Sequence, residues 1–303
     1  MKIEDFAEII KKRVTERLGD ECYVSIHKVD KNNRVTYTGL QVQKEGANLS
    51  PIIYLDSQYR NFLCKQITLP EVVDYVVKTA EGKSQQVDMR LFLNFSSIKD
   101  SIVYSLINTE RNRELLEDLP HMDFMDLSIV FQSMLVSAGY GTASILIHNV
   151  HLKLWDVTVS DLLKAAEKNT PQLMGYELKS MKDVLREIME SEQPEEADSD
   201  AYMAGIVSSV PMYVLSNQCR INGAACLLYP ALLDDICESL DSSFYLIPSS
   251  IHEVLILPSD NTNDSAKIRE MIKEINDTQV AAEEILSYSL YFYDREENRL
   301  YIV

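Results

Sequence analysis

The amino-terminal part of the chain begins with a hydrophobic pattern of helical period. Apolar residues recur every three or four positions from Ile3 to Val14, and Gly19 follows as a natural helix terminator. The period then changes to two in three segments rich in β-branched and aromatic residues, at 23–29, 34–43 and 50–56. The pattern predicts an amphipathic helix followed by three strands.

Local capping signals predict the next helices. Thr68 and Glu71 have the spacing of a capping box, and an apolar run of helical character follows them. A shorter helix is predicted within 57–64, just before this box. Thr158 is placed to cap another helix within 157–169.

The middle of the chain is less regular. Residues 87–107 fit two strands, or a strand and a helix, because short apolar runs occur in both. Residues 109–119 predict a helix. Residues 127–135 and 142–152 predict an antiparallel pair around the turn 137–141.

A similar order appears later. Residues 211–217 and 224–229 predict a second strand pair, and a helix is predicted from Pro230. Both second strands begin with a glycine and two small residues, at 141–143 and 223–225. The parallel indicates either a duplicated unit or the small residues that close backbone packing at a sheet requires, and we favour the second interpretation.

The carboxyl-terminal segment has clear boundaries. It predicts two strands at 244–250 and 252–259, a helix from Ser265, a second short helix at 280–286 and a closing hairpin around the turn 294–298.

An acidic stretch interrupts the second half of the chain. Residues 187–200 contain seven Asp and Glu and no Lys or Arg, so self-repulsion predicts an extended loop near 187–204. We interpret it as a solvated linker; a flap or an acidic decoy for a basic partner is the functional alternative. The elements together predict an α+β fold of mainly antiparallel sheets covered by helices, with two sheet-bearing modules: an α-β-β-β-α module at 1–95 and a larger α+β module at 96–303.

The composition of the 303-residue chain is that of a globular protein, with 46% hydrophobic and 25% charged residues. A net charge of −18 would repel nucleic-acid phosphates and anionic lipid, so neither nucleic acid nor a membrane is expected as a partner. The chain shows no run of ~18 apolar residues and no secretory signal. Five cysteines without CxxC spacing indicate reduced thiols, and a cytoplasmic protein is expected.

Four polar residues of the kind found in hydrolytic sites stand side by side: Ser249, Ser250, His252 and Glu253. A catalytic serine needs a histidine within hydrogen-bond reach and a third group that orients the histidine. If the segment is an extended strand, Ser250 lies ~7 Å from His252 and Glu253 points to the opposite face. We therefore interpret it as the corner between two strands. The alternative is a hydrolase site assembled around these residues with His121 and Asp126.

His148 and His151 are candidate metal ligands, because imidazole pairs are common in metal sites. On the predicted strand their Cα atoms would be about 10 Å apart with the side chains on opposite faces, and only a loop or a helical turn would let them share an ion. The glycines within 139–144 lack the following helix and the third glycine of a dinucleotide-binding turn. Neither a metal nor a cofactor is predicted.

Five blocks of the sequence carry a family resemblance: SPIIYLD at 50–56, LINTERNRELLEDLPHMDFMDLSIVF at 106–131, NGAACLLYP at 222–230, IPSSIHEVLILP at 247–258 and the trailing LSYSLYFYD. In these blocks the chain resembles an uncharacterised family, a domain of unknown function from gut Clostridia and related Firmicutes. The resemblance implies a bacterial origin and a shared fold, and it carries no catalytic residue across.

The leading functional hypothesis is a non-enzymatic binding or protein-interaction protein. Two sheet-bearing modules without a recognisable catalytic constellation are explained most simply as recognition surfaces, and a protein is the expected partner.

Overall fold

A computed structural model describes residues 1–19, 22–46, 50, 52–80, 89–137, 141–192, 211–259 and 264–303. Backbone contacts divide the chain into two compact units. The first is built on Met1–Leu93 and the second on Asn94–Ser137 and Thr142–Val303. Both contain antiparallel sheet and helices, so the chain is an α+β protein, as predicted.

The first unit combines three helices with one antiparallel sheet. Its elements are α1 (Ile3–Leu18), β1 (Cys22–Asp30), β2 (Thr36–Lys44), β3 (Ile52–Tyr54), α2 (Asp56–Leu63), α3 (Leu69–Ala80) and a 3-10 helix at Met89–Leu93. The strand order is β1-β2-β3. This is the predicted order of helix, three strands and two helices.

Local signals set the helix boundaries of this unit, and apolar faces build its core. Gly19 ends α1 with a φ of 69°, in the left-handed region. The backbone N–H of Thr68 donates to Glu71 Oε2 at 2.7 Å, as the capping box predicted. Phe6 of α1 and Val76 of α3 are fully buried in one core with the inward residues of the sheet.

The second unit contains two antiparallel sheets. The smaller has β4 (Ile102–Asn108), β5 (His121–Phe124), β6 (Leu127–Ser137) and β7 (Gly141–Leu146). In it β6 lies between β4 and β5 and also pairs with β7. The larger has β8 (Glu177–Ser180), β9 (Tyr213–Ser216), β10 (Phe244–Ile247), β11 (Val254–Pro258), β12 (Tyr291–Asp294) and β13 (Arg299–Ile302). Its strand order is β13-β12-β10-β11-β9-β8.

The helices of this unit are α4 (Phe95–Ile98), α5 (Arg113–Leu116), α6 (Asn149–Trp155), α7 (Val159–Met174), α8 (Met181–Glu192), α9 (Leu232–Leu240) and α10 (Ser265–Thr278), with 3-10 helices at Lys99–Ser101, Glu110–Asn112 and Gly223–Leu228. Thr158 caps α7, as predicted, by accepting from the N–H of Asp161 at 3.3 Å. The amide of Asn169 on α7 donates to the carbonyls of Lys99 and Ile102 at 2.7 and 3.0 Å, which joins α7 to the start of β4.

Three predicted elements are wrong. Residues 224–229 form a 3-10 helix instead of a strand, so the duplicated unit is absent, and Gly223 packs closely against Ser216 and the carbonyl of His252. Residues 149–152 begin α6 instead of continuing a strand. Residues 280–286 form turns, with an isolated bridge between Ile285 and Ser250. In each case short apolar runs fit two conformations, and tertiary contacts select one.

Other segments were missed or shortened. The strands β5 and β8 were not predicted, and 109–119 contains only a 3-10 helix and the single turn of α5. The acidic stretch begins inside α8, which continues to Glu192, so 187–192 is helical and not a loop. Its continuation, 193–204, lies outside the described residues. No helix in the described ranges combines the length and apolar character needed to cross a membrane.

Candidate functional site

The predicted serine and histidine candidates lie in a corner, 248–253, between β10 and β11. The backbone N–H groups of Leu286 and Ser287 donate to carbonyls of the corner at 2.9 Å each. Inside the corner, Ser250 Oγ accepts from the backbone N–H of His252 at 3.0 Å. The corner is therefore a hydrogen-bonded turn, and the strand geometry considered for His252 was wrong.

Both ring nitrogens of His252 face a partner. Nδ1 accepts from the backbone N–H of Asn222 at 3.2 Å, and Nε2 lies 3.5 Å from Glu284 Oε1. In the neutral ring the proton is therefore on Nε2, toward the carboxylate. No hydrogen bond joins the imidazole to a serine hydroxyl of the described chain, so these contacts anchor the corner and do not build a serine–histidine pair.

A glycine allows two sequence blocks to pack backbone to backbone. A Cβ at Gly223 would lie 2.1 Å from Ser216 Oγ and 2.4 Å from the carbonyl oxygen of His252, closer than any side chain tolerates. Ser216 Oγ donates to that carbonyl at 2.7 Å. The blocks 222–230 and 247–258, which carry the family resemblance, thus meet at a single place.

Beside this corner, four charged side chains form a closed ring: Glu177, Lys179, Glu187 and Arg220. Lys179 Nζ lies 2.8 Å from Glu177 and 2.5 Å from Glu187, and Arg220 Nη2 lies 3.4 and 2.9 Å from the same two carboxylates. The hydrogen bond from Lys179 and then that from Arg220 lower the pKa of Glu187, and its two carboxylate partners raise the pKa of Lys179. The ring joins β8, α8 and the loop before Asn222.

A small open cavity lies against the ring, and Glu253 stands on its wall. Among its lining residues are Glu177, Lys179, Arg220, Glu253, Val184 and Val214. The glutamate of the predicted candidate set therefore faces a cavity, while the histidine beside it does not line it. Glu253 is exposed and has no ion pair within the described residues.

Three large apolar side chains are exposed around the same loop: Leu173 at 45%, Tyr176 at 49% and Ile221 at 46%. We call them the apolar patch. The backbone N–H of Gln218 donates to the carbonyl of Met174 at 3.0 Å, so the loop that carries Ile221 is joined to the end of α7. Leu173 lies in the last turn of this helix, and Tyr176 follows its cap residue Gly175.

Asp126 lies at the turn between β5 and β6 and is the acceptor of three hydroxyl groups. Ser287 Oγ donates at 2.5 Å, Ser289 Oγ at 3.0 Å, and the Tyr291 hydroxyl also donates to the carboxylate. Burial, followed by the negative charge of Asp126, raises the pKa of Tyr291. All of these groups are used inside the fold, so Asp126 ties the two sheets of the second unit together.

His121 is exposed at the opposite end of β5. Its Nδ1 lies 2.8 Å from the carbonyl oxygen of Leu119, and the four residues of the strand separate it from the turn of Asp126 by about 10 Å. No contact within the described residues brings His121, Asp126 and His252 together, so the assembled hydrolase site has no supporting geometry.

His148 and His151 lie at the start of α6, not on a strand. Their ring centroids are 5.8 Å apart. His148 Nδ1 pairs with Asp118 Oδ2 at 2.7 Å, and His151 Nδ1 accepts from the backbone N–H of His148 at 2.9 Å. No group of three or more His, Cys, Asp or Glu side chains in the described ranges is arranged to hold a metal ion.

The buried thiols are poor nucleophiles. Burial raises the pKa of Cys226 to about 12 and also raises that of Cys237, so at neutral pH both are protonated and unreactive. Cys226 lies in a buried cluster with Tyr104 and Tyr229, whose ring centroids are 6.3 Å apart.

The ring and the patch were not found from the sequence. Glu177 and Lys179 are two residues apart in a short strand, so their side chains lie on the same face. This spacing is the one local feature of the sequence that points to the ring. Arg220 and Glu187 come from a loop and a helix whose approach depends on tertiary packing.

One family model, described as a family of unknown function (DUF5688), matches residues 3–295. No curated protein and no solved structure matches the chain.

Proposed function

The chain belongs to DUF5688, a family of unknown function, and we propose that it is a non-enzymatic protein-interaction protein. One observation carries the proposal. The apolar patch exposes Leu173, Tyr176 and Ile221 at 45–49%, and Tyr176 and Ile221 directly adjoin, along the chain, the cavity-lining residues Glu177 and Arg220. The combination of exposed large apolar side chains with a polar rim is typical of a protein-binding surface.

The energetics favour this use of the patch. Burying a large apolar side chain contributes about 1.5 to 3 kcal/mol when it is complete, and the three side chains here are roughly half exposed. Tyrosine and arginine are also among the residues enriched at binding hot spots, and Tyr176 and Arg220 both lie at this surface. A partner that covers the patch would recover most of that apolar area.

The test is affinity capture from a native lysate with a matched pair of variants. Ile221→Ser shortens a patch residue, and Val150→Ser shortens an equally β-branched residue on α6 that is 61% exposed. We expect wild type and Val150→Ser to retain a stoichiometric protein partner and Ile221→Ser to lose most of it. Equal retention by all three proteins would contradict the use of this patch.

An assay of enzymatic turnover tests the hydrolase alternative. The purified protein is assayed with generic ester, peptide and phosphate substrates, and no turnover is expected. Turnover that Ser250→Ala or His252→Gln abolishes, without loss of folded protein, would replace the interaction hypothesis by the hydrolase.

We also propose that the protein is a cytoplasmic protein of gut Clostridia or related Firmicutes. The described cysteines are all free thiols, which supports a reducing compartment. Fractionation of the source cells with an antibody against the chain tests the location.

A further inference from the structure

We propose that the partner presents a basic segment to this surface, with a Lys or Arg side chain in the cavity at Glu253 and a neighbouring apolar residue on the apolar patch. The inference rests on the proposed function and specifies its partner. It commits to a basic protein segment.

Charge selects a basic partner. In the ring, each of the two cations is shared between Glu177 and Glu187, so Lys179 and Arg220 are already neutralised and offer little to an anion. Glu253, on the cavity wall, has no cationic partner in the described part of the chain. A cation entering the cavity therefore meets one uncompensated carboxylate, with a net chain charge of −18 behind it.

The shape and lining of the cavity suit an amphipathic side chain. Val184 and Val214 provide apolar wall, and Glu253 provides an acceptor on the same cavity. Lysine and arginine carry apolar stems and a charged head, so a stem against the valines and a head at the carboxylate satisfies both. The cavity is small, which matches one side chain and not a drug-sized ligand.

The apolar patch lies next to this cavity along the chain. Tyr176 immediately precedes Glu177, and Ile221 immediately follows Arg220. A segment with its basic residue in the cavity can place its apolar residue against Tyr176 or Ile221, each one residue along the chain from a side chain that lines the cavity. The cavity would bind the basic residue of a short motif, and the apolar patch would contact the large apolar residue beside it.

The experiment is fluorescence anisotropy with labelled dodecapeptides. Each peptide has a Gly-Ser background, one Arg or Lys, and one Leu or Phe at varied separation. Matched sets replace the basic residue by Gln or Glu. We expect binding by the basic set alone, with an affinity that falls as salt is added.

Two charge variants separate the site from the bulk field of an acidic protein. Glu253→Gln removes the proposed acceptor, and Glu270→Gln makes the same charge change at an exposed position of α10. We expect Glu253→Gln to weaken the basic peptides about fivefold, the upper end for a surface ion pair, and Glu270→Gln to leave them unchanged.

Each other result overturns the inference. Equal weakening by both variants would show that the net negative charge of the protein attracts the peptides, and not Glu253. Equal binding of the Gln or Glu peptides would show that a basic residue is not needed. Absence of binding by every peptide set would show that this surface does not bind a basic motif. The proposed function is judged separately. A captured partner that Ile221→Ser loses and Glu253→Gln retains would support the interaction surface while refuting the basic segment.

Discussion

Replacing Asp126 by alanine should destabilise the second unit strongly, because it removes the shared acceptor of three hydroxyl groups. Two of the donors, Ser287 and Tyr291, are fully buried at 0% exposure, so both hydroxyls depend on this carboxylate as their acceptor inside the fold. A buried donor without a partner costs about 1 to 3 kcal/mol. With two such donors and a third, less buried serine, we expect a loss of about 3 to 5 kcal/mol, a large share of a typical folding free energy of ~5 to 15 kcal/mol.

The assay is urea unfolding followed by the fluorescence of Trp155, the single tryptophan, which lies in the second unit. Asp126→Asn keeps one acceptor oxygen and should lose less, about 1 to 2 kcal/mol. Asp123→Ala removes an exposed carboxylate from β5 and should change the stability by less than about 0.5 kcal/mol.

A double-mutant cycle isolates the bond between Asp126 and Tyr291. If the hydroxyl donates to the carboxylate, Asp126→Ala and Tyr291→Phe should couple by about 1 to 2 kcal/mol. Additive effects of the two substitutions, or a loss below about 1 kcal/mol for Asp126→Ala alone, would refute the structural role of this carboxylate.

Four further substitutions test other parts of the second unit. The Tyr104 hydroxyl is buried without a hydrogen-bond partner among the described residues, so Tyr104→Phe should raise stability by about 1 kcal/mol in urea titrations. Tyr229→Phe, which loses a donated bond of 3.1 Å, should lower it by a similar amount. Burial, and then the charge of His148, lower the pKa of His151, so the unfolded chain binds the proton more readily than the folded one. Stability should therefore fall as the pH drops below about 6.5. In urea titrations repeated across pH 5 to 7.5, His151→Gln should make this fall shallower. Gly223→Ala should cost about 1 to 3 kcal/mol by overpacking, and an unchanged urea midpoint would contradict the close backbone approach.

The helices that were predicted correctly have local causes. Gly19 ends α1 because it adopts a left-handed φ of 69°, and Thr68 and Thr158 begin their helices with side chains three residues from their partners. Neighbours in sequence supply all the interactions concerned. Such elements are readable from the sequence because no distant residue is needed to form them.

The errors fall where distant backbone groups decide the conformation. Residues 224–229 have the small and apolar composition of a strand, but Gly223 packs on Ser216 and on the carbonyl of His252, and the segment winds into a 3-10 helix. Residues 280–286 have helical composition, but the N–H of Leu286 donates to the corner and the chain there forms turns. Neither partner is adjacent in sequence.

The candidate site divides in the same way. The sequence identified the corner of Ser249, Ser250, His252 and Glu253 as a distinctive polar cluster, and the structure places it beside the cavity. The sequence did not identify Arg220 as a site residue, because its ion pairs are with two glutamates that lie 33 and 43 residues away.

By itself, the sequence determined the α+β composition, the order of most helices and strands, and the acidic character of the chain, since capping, periodicity and charge are properties of neighbouring residues or of the whole composition. Only the tertiary structure decided which polar residues are used inside the fold, as Asp126 is, and which remain exposed beside a cavity, as Glu253 is. The physical reason is that burial and pairing of a side chain depend on atoms brought from distant parts of the chain, and these have no local signature.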